Sequence, residues 1–321
     1  MITVDAVYLL VGAMFAAFAA LSGRDGGNRK RWGNAAFWGL LAVSFLFGRW
    51  LGDLGNGVLV LGLVALAGTG RLGRGAPATT SAEQRRERAE RRGDLLFLPA
   101  LIIPATALLG TLLLKGATWG GAHIVDPKQV TLISLGAGVV IALGVAMLWL
   151  RPPPLAPLQE GRRLIDAVGW AAVLPQMLAS LGAVFLLAEV GEAVGGAATA
   201  FLPLDTPFLA VAAYGLGMAL FTMIMGNAFA AFPVMTAAIG LPLIVGRFEG
   251  DPAVMGAIGM LSGFCGTLMT PMAANFNVVP ATLLDLPDRD KPLNGVIRAQ
   301  IPTALPLLAA NIALMALLVY R

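Results

Sequence analysis

Apolar runs of about 20 residues recur along the whole length of this chain, and a run of that length spans the hydrocarbon core of a bilayer as an α-helix. The short alternating runs of an outer-membrane barrel are not the pattern here. Of the 321 residues, 58% are hydrophobic and 12% charged, against about 25% charged in soluble domains. The expected fold is therefore all-α: a polytopic transmembrane helical protein with about 8–10 membrane elements, including broken or re-entrant helices in its C-terminal half.

The charges divide the chain. Asp5 precedes an apolar run over 6–21, and Arg24, Arg29, Lys30 and Arg31 follow it, which places the N-terminus outside and this loop in the cytoplasm. Two more runs, 34–50 and 57–70, complete a three-helix membrane segment over 1–70. Residues 71–94 form an Arg-rich cytoplasmic linker with seven arginines and three glutamates. It reads either as a solvated, topology-fixing linker or as a helix that docks a partner or lipid. A two-helix membrane segment covers 95–150, a cytoplasmic Pro/Arg loop 151–163, and a C-terminal membrane transport core 164–321. The net charge of +4 is explained by positive-inside topology and does not imply nucleic acid. The lone Cys265 excludes an internal disulfide, and the lone His123 reads as a surface residue.

Two runs in the core break the plain pattern. The first is Met225-Gly226-Asn227-Ala228-Phe229-Ala230-Ala231-Phe232-Pro233-Val234-Met235-Thr236, and the second runs from Gly263 through Gly266, Thr267, Thr270 and Pro271 to Asn275 and Asn277. Pro233 removes a ladder donor, and Thr270-Pro271 has the form of a helix start. The reading is two broken helices, with breaks at Gly226, Pro233, Gly266 and Pro271 and new helix N-termini at Val234 and Met272. Irregular backbone survives in a membrane only where protein buries it or where it lines a cavity. The choice is between proline kinks packed on neighbours and a solute site, and the extra amides favour the site. Its candidate residues are Asn227, Thr236, Thr267, Thr270, Asn275, Asn277 and, on an earlier span beside Pro175, Gln176.

No Walker motif, HExxH or GxSxG is present, and no base accompanies the hydroxyls of Ser262, Thr267 and Thr270. The expectation is a carrier and not an enzyme, with no cofactor. The broken runs also lack Asp, Glu and His, so hydroxyls, amides and carbonyls near Thr267, Thr270 and Asn275 suit Na⁺ as a coupling ion better than a proton.

At residues 226–233 and 266–277 the chain resembles a bacterial inner-membrane family of formerly unknown function, associated with 5-oxoproline (pyroglutamate) transport as one of two different membrane subunits. The similarity runs from Asn34-Ala35-Ala36-Phe37-Trp38-Gly39 to Gln300-Ile301-Pro302-Thr303. That family is similar to the ion-transporter superfamily, which uses inverted repeats and re-entrant hairpins. The resemblance implies an inner-membrane permease subunit for a small carboxylate, working in the lipid bilayer with a second membrane subunit; a homo-oligomer is a further arrangement open to it. In the N-terminal half only Pro99 and Pro104 hint at a matching pair of breaks, which implies that the second subunit supplies the missing repeat. Another small carboxylate, or a non-transporting scaffold role, are the alternative readings.

Overall fold

A computed structural model describes residues 1–75, 77, 79–201, 204–284 and 291–321, and among these it leaves out the side chains of Ala82, Pro175, Gln176, Ala179 and Asn275. The protein is an all-α, multi-pass membrane protein. Among the described residues, seven helices are long and apolar enough to cross a membrane. An eighth span results if the pair Ser180–Leu187 and Val190–Phe201, bent by 71°, counts as one. The chain forms two compact units, Met1–Ala167 and Val168–Arg321.

The first unit contains α1 (Val4–Gly23), α2 (Arg31–Gly68), α3 (Ala82–Arg92), α4 (Leu98–Leu114), α5 (Val130–Leu150) and α6 (Ala156–Val168). A two-stranded ribbon, Thr118–Trp119 with Ala122–His123, lies between α4 and α5 and leaves His123 exposed. The two spans expected over 34–50 and 57–70 are one helix interrupted at Gly52, whose φ of 60° and ψ of −175° no helix contains. Asn56 closes the gap: its Nδ2 donates to the carbonyls of Gly48 and Gly52, both at 2.9 Å. The loop expected over 151–163 is helical from Ala156, and no continuous helix leads from it into the core expected from 164. Gly169, at φ 60°, ends α6, and a 3-10 turn over Gly169–Val173 leads into α7 (Leu174–Leu187).

A buried polar cluster ties α6 to the start of the Arg-rich linker. Asp166 Oδ1 accepts from Trp38 Nε1 at 2.8 Å and from Asn34 Nδ2 at 3.0 Å. The Asn34 amide also clasps Gly73, donating to its carbonyl at 2.6 Å and accepting its N–H at 2.9 Å. Arg162 pairs with Asp25 at 2.9 Å and donates to Leu21 O at 2.6 Å. Burial pushes the Asp166 carboxyl up, against the opposing effects of the Trp38 hydrogen bond, the Arg162 charge and the Asn34 hydrogen bond. A carboxylate whose pKa rises on folding stabilises the fold fully below its unfolded value near 3.9, and the contribution is lost as pH rises through the folded value. The thermal midpoint of the wild type relative to Asp166→Asn should therefore fall as pH rises from about 4 to about 7. A gap that grows in favour of the wild type over that range contradicts this account.

The second unit contains α7, α8 (Val190–Phe201), α9 (Pro207–Met225), α10 (Ala228–Met235), α11 (Pro252–Leu268), α12 (Val279–Leu283) and α13 (Pro292–Leu318). Its core gathers Val211, Tyr214 and Met218 of α9, Met255 of α11 and Met315 of α13. Helix starts follow the expected chemistry: Thr206 and Asp251 cap α9 and α11, each with proline at the next position. After a bend at Glu189 (φ 54°), α8 packs on the segment after α10. That segment, Thr236–Arg247, is π-helical. Pro242 lacks the amide that a regular ladder needs, and the bonds widen to five-residue steps such as Phe248 N to Leu243 O at 3.0 Å.

Gly266, expected to mark a break, lies within α11. It is buried, and a Cβ there would collide with the carbonyl of Ala219, so α9 and α11 touch through it. Gly266→Ala must push these helices apart, at a cost of about 1–3 kcal/mol. Thermal unfolding in detergent should show a clear drop; an unchanged midpoint is the contrary result.

Candidate functional site

Two interruptions of helical backbone meet in the second unit. Helix α9 ends at Met225, and Gly226 takes the left-handed conformation (φ 78°) that lets its N–H reach Thr222 O at 2.6 Å. Asn227 is extended, and its Oδ1 accepts from Phe229 N at 2.7 Å, capping α10. The chain turns again between the end of α11 at Leu268 and a π-turn over Ala274–Val278. A Cβ at Gly226 would stand 2.6 Å from the carbonyl oxygen of Met272, so the two interruptions touch backbone to backbone.

Side chains take over the ladder at this junction. Thr270 is buried; its hydroxyl donates to Met223 O at 2.7 Å, in the last turn of α9, and accepts from Met272 N at 3.2 Å. Asn277 is fully buried, and its Nδ2 donates to Thr267 O at 2.8 Å and to Thr270 O at 2.6 Å. Thr267 Oγ1 donates to Phe264 O at 2.6 Å. Two buried oxygens, Asn277 Oδ1 and Thr222 Oγ1, have no hydrogen-bond partner among the described residues. The orientation of the Asn277 amide follows from its two acceptors, since an oxygen in place of Nδ2 would face two carbonyls.

A cavity of about 50 Å³ opens at the junction, lined by Gly226, Asn227 and Thr267 and by the aromatic faces of Phe229, Phe264 and Phe276. The rings follow one another at 5.9 and 6.2 Å between centroids. This volume has room for only a few water molecules. It is well below the roughly 300–1,000 Å³ of small-molecule pockets. No His, Cys, Asp or Glu group of three suited to a metal ion occurs among the described residues. A cation here would be held by neutral oxygens, and it would compete with Asn277 Nδ2 for the carbonyls of Thr267 and Thr270.

The structure brings Asn227, Thr267, Thr270 and Asn277 together, with Gly226 and Pro271 beside them. It separates Thr236, whose hydroxyl lies 3.1 Å from Tyr214 OH in the core. The expected helix starts move. Pro233 lies inside α10, which begins at Ala228 and not at Val234, because Asn227 already supplies the cap. Pro271 sits in the turn, and helical bonding resumes at Ala274 and not at Met272, because the Thr270 hydroxyl is held by Met223 O and the turn. The side chains of Gln176 and Asn275 lie outside the described residues. Gln300 was missed: its Nε2 donates to Phe276 O at 3.2 Å, and its buried Oε1 has no partner among the described residues. Its signal was an amide directly before the apolar run that begins at Ile301.

A family described as "Protein of unknown function (DUF979)" matches residues 5–320. The chain belongs to this family. The match takes in both units of the DUF979 chain and both interruptions. No curated protein and no solved structure matches it.

Replacing Asn277 by alanine leaves the carbonyls of Thr267 and Thr270 without their donor inside the protein. The expected loss is about 1–3 kcal/mol per buried group left unpaired. Detergent thermal unfolding of Asn277→Ala should show it, with a larger drop than for the half-exposed cap variant Asn227→Ala; equal midpoints for Asn277→Ala and the wild type contradict the assignment.

Proposed function

We propose that this DUF979 chain is a membrane permease subunit that carries a small organic acid, 5-oxoproline, together with a second membrane subunit and under secondary coupling to an ion gradient. The observation that supports the reading is the meeting of two interrupted helices at a small cavity bordered by amide and hydroxyl groups within an apolar unit. A helix N-terminus favours an anion, because its first amides are free and its dipole is positive there. The start of α10 at Ala228, where Asn227 Oδ1 already holds the Phe229 amide, offers its positive dipole end to a carboxylate. Asn227, whose Oδ1 is engaged by Phe229 N, keeps an NH₂ group to donate to the lactam carbonyl or the carboxylate. Discontinuous helices at a midplane site are the common device of secondary transporters. The substrate itself comes from the family resemblance at 226–233 and 266–277.

Neutral oxygens around Thr267, Thr270 and Asn277 suit Na⁺ as the coupling ion. In the described conformation the cavity is too small for the ring, so transport requires the junction to open. That small volume also favours the second reading, a scaffold subunit whose partner does the transporting.

The test is uptake of labelled 5-oxoproline into proteoliposomes with this chain alone, with its partner subunit, and with Asn227→Ala in the complex. The proposal expects uptake only with both chains, driven by a Na⁺ gradient when ΔpH is abolished. Removing the amide should weaken apparent affinity by about five- to a hundred-fold, the equivalent of one lost buried hydrogen bond. Full uptake by Asn227→Ala rules out this placement, and uptake by the partner alone supports the scaffold reading.

A further inference from the structure

Helix α3 holds five arginines and three glutamates; Arg86 and Arg91 flank the glutamates, and the other three arginines lie on the opposite face. Glu83, Glu87 and Glu90 recur at steps of four and three, and Arg85, Arg88 and Arg92 at steps of three and four. At 3.6 residues per turn these are two stripes on opposite sides of the helix. A capping box between Ser81 and Gln84 fixes its start. Residues 83–91 are exposed, so no packing inside the unit accounts for the segregation. Arg86, on a flank, pairs with Glu90 at 2.9 Å, whereas Arg88 makes no ion pair among the described residues. Glutamates stand three or four residues from Arg86 and Arg91, but none stands so from Arg85, Arg88 or Arg92, so pairing along the helix does not account for those three.

The end of the helix packs on a membrane-spanning helix. Arg92 lies 5.1 Å over the ring of Trp149, in the last turn of α5. The 3-10 turn Gly93–Phe97 then leads without a loop into α4, exposing Leu95, Phe97 and Leu98 at the junction. Tryptophan and apolar residues in such positions belong to the boundary between headgroups and acyl chains. The arginine stripe therefore starts at that boundary, on the side where Arg92 is stacked.

We propose that α3 is a membrane-surface helix whose Arg85, Arg88 and Arg92 stripe binds the headgroups of anionic phospholipids in the leaflet where α4 begins. Guanidinium groups take phosphate oxygens in pairs, and the glutamate stripe on the far side stays in water. This inference is independent of any transport reading, because it rests on the first unit alone.

The test is amide hydrogen exchange over residues 84–92 in the full chain, reconstituted in nanodiscs of phosphatidylcholine alone or with about one-third phosphatidylglycerol. Exchange should slow in the anionic discs, by about fivefold for each arginine engaged. The slowing should vanish in Arg85→Gln/Arg88→Gln, persist in Glu83→Gln/Glu87→Gln, and weaken at about 1 M salt, where the Debye length is about 3 Å. Equal exchange in both discs overturns the proposal, as does slowing that survives in the arginine variant. Protection in neutral discs that appears only with two copies per disc also overturns it, by assigning the stripes to pairing between copies.

Discussion

A peptide group inside a membrane has no water to fall back on, and the architecture of this chain follows from that constraint. Where helices run through, the ladder satisfies it. Where they stop, side chains must, and the junction of α9, α10 and α11 shows how. Thr270 reaches across to Met223 O, and Asn277 holds the carbonyls of Thr267 and Thr270 together. These bonds do more than terminate helices, because they join two interruptions that are far apart in sequence. The absence of a side chain at Gly226 then allows the backbones to meet.

The same device recurs in the first unit with different residues. Asn56 closes the break at Gly52 by holding two carbonyls of α2, and Asn34 clasps both polar groups of Gly73 while donating to Asp166. Asparagine suits the task because its short amide presents a donor and an acceptor from one rigid plane. The two units differ in what surrounds the device. In the first it is a charged cluster with Arg162 and Asp166, and in the second it is neutral throughout. A neutral junction can take up a cation or an anion without first losing an ion pair, which is a property that a solute site needs.

Much of the fold was legible because helical spans announce themselves by length. The two-helix segment expected over 95–150 holds two helices, Leu98–Leu114 and Val130–Leu150. The interruption at Gly226-Asn227 was also legible, since glycine and asparagine tolerate a turn that other residues resist. Prolines were the weaker guide. Pro233 was read as a break, yet it lies within α10, where its ring is accommodated against Gly182 of α7. Pro271 was read as a helix start, but whether Thr270 caps a helix depends on what its hydroxyl meets in three dimensions, and it meets Met223 O. Thr236 is the same case, a polar residue in the right stretch whose partner, Tyr214, comes from packing. The α8 helix was hidden by its flanking acids, and Gln300 by its distance along the chain from the residues it touches.

The central claim is that the junction at Gly226 and residues 269–274 is where the solute binds. Ala274 is buried and lines the cavity, and the native Cys265 is buried and free. The direct measurement is the rate at which a membrane-impermeant thiol reagent modifies Ala274→Cys in a Cys265→Ser background, in the proposed complex with a second membrane subunit, with and without 5-oxoproline. The account predicts that 5-oxoproline changes this rate, while the rate at an exposed control, Glu87→Cys, stays the same. An Ala274→Cys rate that is indifferent to saturating 5-oxoproline, in a complex that still transports it, would place the site elsewhere.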